Sequence, residues 1–218
     1  MRALETFQSG GKTIKVETFF PKDAESAPSI IVLHGATGIE TANRFIALLA
    51  QGIASQGFVT HLVHYFDRTG TQYADDETMR LSAQEWIGTV DDAVKFIRRL
   101  RPKASIGVFG YSLGGYLAAA ESVRSESVSA AVILAGGLDL TSTPTFKRSA
   151  PTLILHGDAD TRVRVSEAQK FSNLLKATGA KPELHIYPGE GHIMSLNAYA
   201  DVVQRGTEFF RAHLHPAG

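Results

Sequence analysis

Short runs of apolar, β-branched residues alternate with stretches of helical periodicity along almost the whole chain. The first run, "SIIVLHG" (29–35), is typical of a strand that is buried on both faces of a parallel sheet. It is followed by "ANRFIALLAQGIASQG" (42–57), in which apolar residues recur at helical spacing. Four further strand-helix pairs follow, and this alternation predicts an α/β fold: a mostly parallel central sheet with helices on both faces.

Two local features refine this prediction. "KTIKVETFF" (12–20) follows a "SGG" turn and alternates apolar and polar residues, which predicts an antiparallel N-terminal hairpin at one edge of the sheet. The long helix over residues 75–101 should end before Pro102. Because no linker or break in composition divides the chain, we expect residues 1–218 to form one domain without a separate lid.

Charge and composition exclude several classes of partner. The 22 basic and 22 acidic residues balance, so no overall field favours nucleic acid or a membrane surface, and we expect a small-molecule partner. With 44% hydrophobic and 20% charged residues, the chain has the composition of a folded globular protein. The start lacks the apolar segment of a signal peptide, so we expect a cytoplasmic protein, either a monomer or a small homo-oligomer.

Cofactor and metal sites are not expected. The absence of cysteine excludes disulfides, thiolate metal sites and a cysteine nucleophile. His61 and His64 lie three residues apart on a predicted strand, which would send their side chains to opposite faces of the sheet. No G-x-G-x-x-G motif follows the first strands, so a nucleotide cofactor is not supported.

The strongest candidate for chemistry is "GYSLG", residues 110–114, between a predicted strand and a predicted helix. It matches G-x-S-x-G, the sharp turn in which flanking glycines leave room for a serine in a strained backbone conformation. Ser112 would then stand at the carboxyl edge of the sheet, with a helix N-terminus directed at any negative charge that develops beside it. We therefore expect Ser112 to be a nucleophile.

A serine hydroxyl needs a base and the base needs an orienting acid. His192 in "YPGEGH" follows a strand and should face the same edge as Ser112. Asp160 in "LHGDADTRV" gives the chain order nucleophile, acid, base. Asp158 and Asp139, which also follow strands, remain alternatives to Asp160. His34 and His156 are expected instead to hold their loops by hydrogen bonds.

The oxyanion of an acyl-transfer reaction needs two donors. We expect the backbone amide of Leu113, the residue after the nucleophile, to be one of them. The amide of Ala36, in the "HGATG" loop, is the predicted second donor. Both assignments rest on chain position alone.

These motifs together resemble the α/β-hydrolases, and among them most closely the dienelactone hydrolase family. The resemblance extends from "SIIVLHGATG" through "GVFGYSLGGYLAAA" and "LILHGDADTRV" to "YPGEGHIM". It implies that Ser112, Asp160 and His192 are catalytic and that Ala36 and Leu113 form the oxyanion hole. Members that open dienelactones usually carry a cysteine nucleophile, a glutamate after the third strand and an arginine just after the histidine.

The chain departs from that pattern at three places: it has Ser112, Gly35 and, near the last position, Leu196. We therefore expect a serine hydrolase of carboxylic esters, with lactones, thioesters and small peptides as other acyl donors. A dienelactone hydrolase proper and a non-catalytic binding protein on the same fold are the alternatives.

The substrate is expected to occupy an open, shallow pocket. Residues next to the motifs are predicted to bind it, five apolar or aromatic and one basic: Tyr111, Phe66, Ile193, Met194, Leu196 and Arg68. The apolar side chains would favour a modest acyl or alcohol group. Arg68 would bind an anionic one.

Overall fold

The computed structural model describes residues 1–39, 44–139 and 148–216. The strands are β1 (Arg2–Ser9), β2 (Lys12–Phe19), β3 (Ser29–Leu33), β4 (Val59–Val63), β5 (Ile106–Tyr111), β6 (Val128–Leu134), β7 (Thr152–Gly157) and β8 (Glu183–Tyr187). The helices are α1 (Arg44–Ser55), α2 (Asp76–Leu100), α3 (Leu113–Arg124), α4 (Val165–Ala177) and α5 (Leu196–His213). A short 3-10 helix, Tyr65–Arg68, follows β4. The start of the first predicted helix and part of the loop over 136–150 lie outside the described residues.

The eight strands form one sheet in the order β1-β2-β4-β3-β5-β6-β7-β8. The hairpin β1-β2 is antiparallel, β2 pairs antiparallel with β4, and every other pairing is parallel. The predicted α/β fold is therefore confirmed, including the antiparallel N-terminal hairpin at one edge. Because the parallel strands share one direction, their carboxyl ends meet along one edge of the sheet.

Side-chain alternation along the central strands separates two hydrophobic clusters, one on each face of the sheet. Ile31 and Leu33 of β3 pack with α2, α3 and α4, whereas Ile30 and Val32 pack with α1 and α5. Every residue of β3 is buried, as expected for a strand that is covered on both faces. The sheet therefore provides a rigid platform for the loops at its carboxyl edge.

The longest helix, α2, is defined at both ends by local sequence. Asp75 caps it by accepting a hydrogen bond from the Thr78 amide at 2.8 Å. Arg98 and Arg99 lie in its last turn, where cations interact favourably with the helix dipole. The helix ends at Leu100, two residues before Pro102. No helix in the described ranges is long and apolar enough to cross a membrane.

Between α2 and α3 lies a fully buried carboxylate, Glu121. Burial raises the pKa of Glu121 to about 8, and the Asp91 carboxylate adds to the rise, whereas Arg124 opposes it. The nearest Arg124 nitrogen is 4.0 Å from the Glu121 carboxylate, and Lys95 is the other cation that acts on it. Glu121 is therefore protonated in the folded protein at neutral pH.

Replacing Glu121 with glutamine should stabilise the protein at high pH and have little effect at low pH. Between pH about 4.5 and about 8 the unfolded chain releases the Glu121 proton while the folded protein keeps it. The free energy of unfolding of the wild type therefore falls as pH rises through that window. We expect the thermal midpoint of Glu121→Gln to exceed that of the wild type by roughly 2–4 °C or more at pH 9, equivalent to about 1 kcal/mol or more.

Thermal unfolding at pH 4.5, 7 and 9 measures this difference. The control is Glu126→Gln, which changes an exposed carboxylate just beyond the same helix. A Glu121→Gln effect that does not grow with pH, or that Glu126→Gln reproduces, would contradict the prediction.

Candidate active site

Ser112 lies on the turn between β5 and α3 with φ 55° and ψ −120°. A positive φ is strained for a residue with a side chain, and it persists only where the surroundings hold it. The Ser112 amide donates a hydrogen bond to the Leu134 carbonyl of β6 at 2.9 Å, which fixes the turn to the sheet. This bend directs the hydroxyl away from the core and toward the carboxyl edge.

The glycines around Ser112 are required by close backbone contacts. A Cβ atom at Gly110 would lie 2.0 Å from the carbonyl oxygen of Gly114. A Cβ atom at Gly114 would lie 2.4 Å from the carbonyl oxygen of Leu33 on β3. No side chain fits in either place, so α3 can start directly against β3 and β5 only with glycine at both positions.

His192 lies in the loop between β8 and α5 and reaches both Ser112 and Asp160. Its Nε2 is 2.9 Å from the Ser112 Oγ, and its Nδ1 is 2.7 Å from Asp160 Oδ2. Ser112 is 9% exposed and the His192 side chain 19%, so the pair is shielded but open to a substrate. The three residues that the sequence singles out therefore form one continuous hydrogen-bonded chain.

Asp160 is held rigidly behind the histidine. Its Oδ1 accepts hydrogen bonds from the amides of Arg162 and Val163 at 2.8 and 2.9 Å, which leaves Oδ2 to face His192. Asp158 points elsewhere and accepts a bond from the Gly189 amide at 2.7 Å. The third alternative, Asp139, lies on the wall of a pocket beside Ser112. Of the three predicted carboxylates, Asp160 is the one that contacts His192.

The two predicted oxyanion donors also lie beside Ser112. Leu113 is the first residue of α3, and the first amides of a helix have no acceptor within the helix. Ala36 lies in the loop after β3, where a Cβ atom on its neighbour Gly35 would come within 3.3 Å of the Ser112 Cβ. Both residues line the pocket that contains Ser112. The structure therefore places both residues beside Ser112, and the role of their amides as oxyanion donors remains a prediction.

His34 and His156 support the two loops, as the sequence suggested. His34 Nδ1 lies 2.8 Å from the Gly35 carbonyl, and its ring stacks on Tyr65 with centroids 4.0 Å apart. Burial lowers the pKa of His34 to about 3, so this imidazole is neutral. His156 Nε2 lies 2.8 Å from the Val163 carbonyl, next to the amides that hold Asp160. Both histidines are structural in this arrangement.

The pocket beside Ser112 has a volume of about 350 Å³ and lies between α2 and the start of α3. Its apolar wall is made of seven side chains: Ala36, Met79, Ala83, Ile87, Leu113, Leu117 and Val163. Four exposed charged residues also line the pocket: Asp76, Arg80, Asp139 and Arg162. A cavity of this size and lining can hold a small apolar group next to the hydroxyl.

None of the six residues predicted to bind substrate lines this pocket. Met194 and Phe66 are buried in the two hydrophobic clusters, and Phe66 borders a separate cavity behind the loop of Ala36. Ile193 and Leu196 are 81% and 87% exposed. Tyr111 is 7% exposed and packs on the α1 and α5 side of the sheet.

Arg68 also lies away from the pocket. Its guanidinium covers the turn of the β1-β2 hairpin, where it donates to Ser9 Oγ at 3.4 Å and pairs with Glu85 at 3.2 Å. A Cβ atom on Gly10 of that turn would overlap the guanidinium. The structure therefore assigns Arg68 to packing between the hairpin and α2.

The sequence prediction missed the contribution of α2 to the pocket. Met79, Ala83 and Ile87 recur at spacings of four residues, so they share one face of the helix. That spacing was visible in the sequence. It could not be assigned to a pocket, because a helical stripe of apolar residues is equally typical of the core.

The strand order and the turn at Ser112 define the class of protein: an α/β-hydrolase. Solved structures share its fold over nearly the whole chain. The crystal structure of a "Putative Dienelactone Hydrolase" from Klebsiella pneumoniae superposes with a TM-score of 0.83 at 20% identity. The superposition covers 98% of this chain and 99% of the Klebsiella chain. The dienelactone hydrolase of Anabaena variabilis gives a TM-score of 0.78 at 20% identity, with 99% of each chain covered.

Sequence comparison identifies the family. The model of the dienelactone hydrolase family matches residues 14–213. A "Putative carboxymethylenebutenolidase" of Aquifex aeolicus is 22% identical over 205 residues, which is 88% of this chain and 86% of that protein. The chain belongs to the dienelactone hydrolase family, and it is a hydrolase of the carboxylesterase type.

Proposed function

We propose that this protein hydrolyses small carboxylic esters through an acyl-enzyme intermediate on Ser112. The observation that carries the proposal is the hydrogen-bonded chain Ser112–His192–Asp160, with distances of 2.9 and 2.7 Å. A serine becomes a nucleophile when a base within such a distance takes its proton. The natural partner is therefore a small-molecule ester.

In the acylation step the Ser112 Oγ attacks the ester carbonyl while its proton passes to His192 Nε2. The carbonyl oxygen becomes an oxyanion, which accepts hydrogen bonds from the proposed donors, the amides of Leu113 and Ala36. Asp160 holds the Nδ1–H tautomer and stabilises the imidazolium that forms. The imidazolium then gives the proton to the leaving alcohol, and the C–O bond of the ester breaks.

In the deacylation step a water molecule takes the place of the alcohol. His192 accepts a proton from the water as it attacks the acyl carbonyl, and the C–O bond to Ser112 breaks. The proton returns from His192 to the Ser112 oxygen, so the free acid leaves and the enzyme is restored. The same two hydrogen bonds serve both steps.

The pocket supports an ester with a small apolar group, and the one basic residue that the sequence predicted to bind an anionic substrate lies elsewhere. Arg68 is engaged by Ser9 and Glu85, so it is not available to hold a substrate carboxylate beside Ser112. Most of the wall next to Ser112 is formed by apolar side chains of α2 and α3. A His192 side chain turned away from Ser112 would have favoured the non-catalytic alternative, whereas the 2.9 Å contact favours catalysis.

The direct test is hydrolysis of p-nitrophenyl acetate by the purified protein, together with labelling by a fluorophosphonate. We expect turnover, and one label per chain located on Ser112 by peptide mass mapping. A protein that neither turns over short esters nor accepts the label would refute the proposal.

The α2 wall of the pocket should set the size of the substrate. Ala83→Phe places a ring in the cavity and leaves less room for a long chain. The kcat/KM for a hexanoate or hexyl ester should therefore fall by roughly 10-fold or more relative to the kcat/KM for an ethyl acetate analogue. Two ester series, one varying the acyl chain and one varying the alcohol, measure this change and show which group occupies the pocket. The control is Leu81→Phe, at a position on the same helix that is 65% exposed. Equal chain-length profiles for both variants would contradict this assignment.

A further inference from the structure

The loop that carries His192, residues 188–195, has no strand or helix of its own. Its first half is held by the loop that follows β7, where the Ala159 amide donates a hydrogen bond to the Glu190 carbonyl at 3.0 Å. The Glu190 carboxylate closes the loop by accepting from the Ser195 amide at 2.7 Å. These contacts hold the ends of the loop, and the middle, where His192 lies, needs a separate support.

That support comes from the residue just before the nucleophile. The Tyr111 hydroxyl donates a hydrogen bond to the backbone carbonyl of His192 at 3.0 Å. The Tyr111 ring also lies against the imidazole, with centroids 5.3 Å apart and an interplanar angle of 33°. Tyr111 is the last residue of β5, and Ser112 is the next residue in the chain. The end of β5 therefore both carries Ser112 and holds the backbone of His192.

The environment of Tyr111 keeps this bond in place. Tyr111 is 7% exposed, so water has little access to the phenol. Burial, with a smaller effect from the neighbouring Tyr199, raises the pKa of Tyr111, and the phenol therefore stays protonated and able to donate at neutral pH. Tyr199 holds the next part of the loop, since its oxygen accepts from the Met194 amide at 3.2 Å.

We propose that Tyr111 is a positioning residue for the hydrolysis: its phenol fixes the backbone of His192 so that Nε2 stays within hydrogen-bonding distance of Ser112. The inference rests on the proposed ester hydrolysis. It assigns Tyr111 no contact with substrate, because Tyr111 does not line the pocket beside Ser112. Removing the phenol oxygen should therefore change the rate of chemistry and leave substrate binding unchanged.

The test is Tyr111→Phe, which removes one oxygen and keeps the ring. We expect kcat for p-nitrophenyl acetate to fall by about 10- to 100-fold, since a displacement of about 1 Å can cost 10²-fold in rate. KM should stay within about twofold. The rate of fluorophosphonate inactivation should fall with kcat, because it depends on the same Ser112–His192 contact.

The matched control is Tyr187→Phe. Tyr187 ends β8, is also 7% exposed, and donates its hydroxyl to Asp201 at 2.9 Å on the surface of α5 rather than to the His192 loop. We expect wild-type kcat and KM from this variant. A Tyr111→Phe enzyme with kcat within twofold of the wild type, or a loss of kcat that Tyr187→Phe reproduces, would overturn the proposal.

A measurement on the wild-type protein tests the same contact without a variant. The Tyr111 hydroxyl proton should exchange slowly with water in nuclear magnetic resonance spectra. If it exchanged as fast as that of Tyr73, which is 56% exposed, the buried hydrogen bond would be refuted. Failure of the wild type itself to hydrolyse esters or to react with a fluorophosphonate would instead refute the proposed function, so the two failures are distinguishable.

Discussion

Replacing Ser112 with alanine is expected to lower kcat for p-nitrophenyl acetate by about 10⁴-fold or more. The substitution removes the atom that forms the acyl-enzyme, and loss of a catalytic serine in such triads costs up to about 10⁶-fold in kcat. Fluorophosphonate labelling should disappear together with turnover. The fold should be retained, because alanine at φ 55° meets the same backbone geometry as serine.

The control for this variant is Ser125→Ala, at the far end of α3 from Ser112. It should keep wild-type turnover and labelling. Equal thermal midpoints for Ser112→Ala and the wild type would exclude unfolding as the cause of lost activity. Turnover by Ser112→Ala within about tenfold of the wild type would mean that another group performs the chemistry.

Asp160→Asn is the second change with a very large expected effect, a fall in kcat on the order of 10³- to 10⁴-fold. Asp160 Oδ2 accepts from His192 Nδ1 at 2.7 Å, and two backbone amides hold the other oxygen. An amide NH₂ group facing Nδ1 would donate to it and stabilise the other imidazole tautomer. His192 Nε2 would then carry a proton and could not accept one from Ser112.

Asp158→Asn provides the comparison, since it makes the same chemical change two residues away. Asp158 contacts the Gly189 amide at 2.7 Å and not His192. We expect at most a severalfold loss of kcat from Asp158→Asn, through a looser His192 loop. A larger loss from Asp158→Asn than from Asp160→Asn would reverse the assignment of the acid.

The fold was predictable because its signals are local. A strand buried on both faces, such as Ser29–Leu33, needs an unbroken apolar run, and the helix that follows needs a stripe of apolar residues. Ser112 was predictable for a similar reason. The steric demands of its turn exclude side chains at Gly110 and Gly114, so the sequence shows a glycine on each side.

The choice among the three aspartates needed the structure. Asp158 and Asp160 both follow β7, and which of them contacts His192 depends on how the loop over 158–164 turns. Hydrogen bonds from two backbone amides to Asp160 Oδ1 hold that loop in its observed turn. Local sequence allows either arrangement.

By itself the sequence determined the mostly parallel sheet, the strained turn and the chain order of Ser112, Asp160 and His192. Backbone sterics and hydrophobic periodicity act over a few residues, so they can be read directly. Only the tertiary structure decided that α2 forms the pocket wall and that Tyr111 contacts the His192 carbonyl. Those contacts join segments up to 81 residues apart, and their geometry depends on how the helices pack on the sheet.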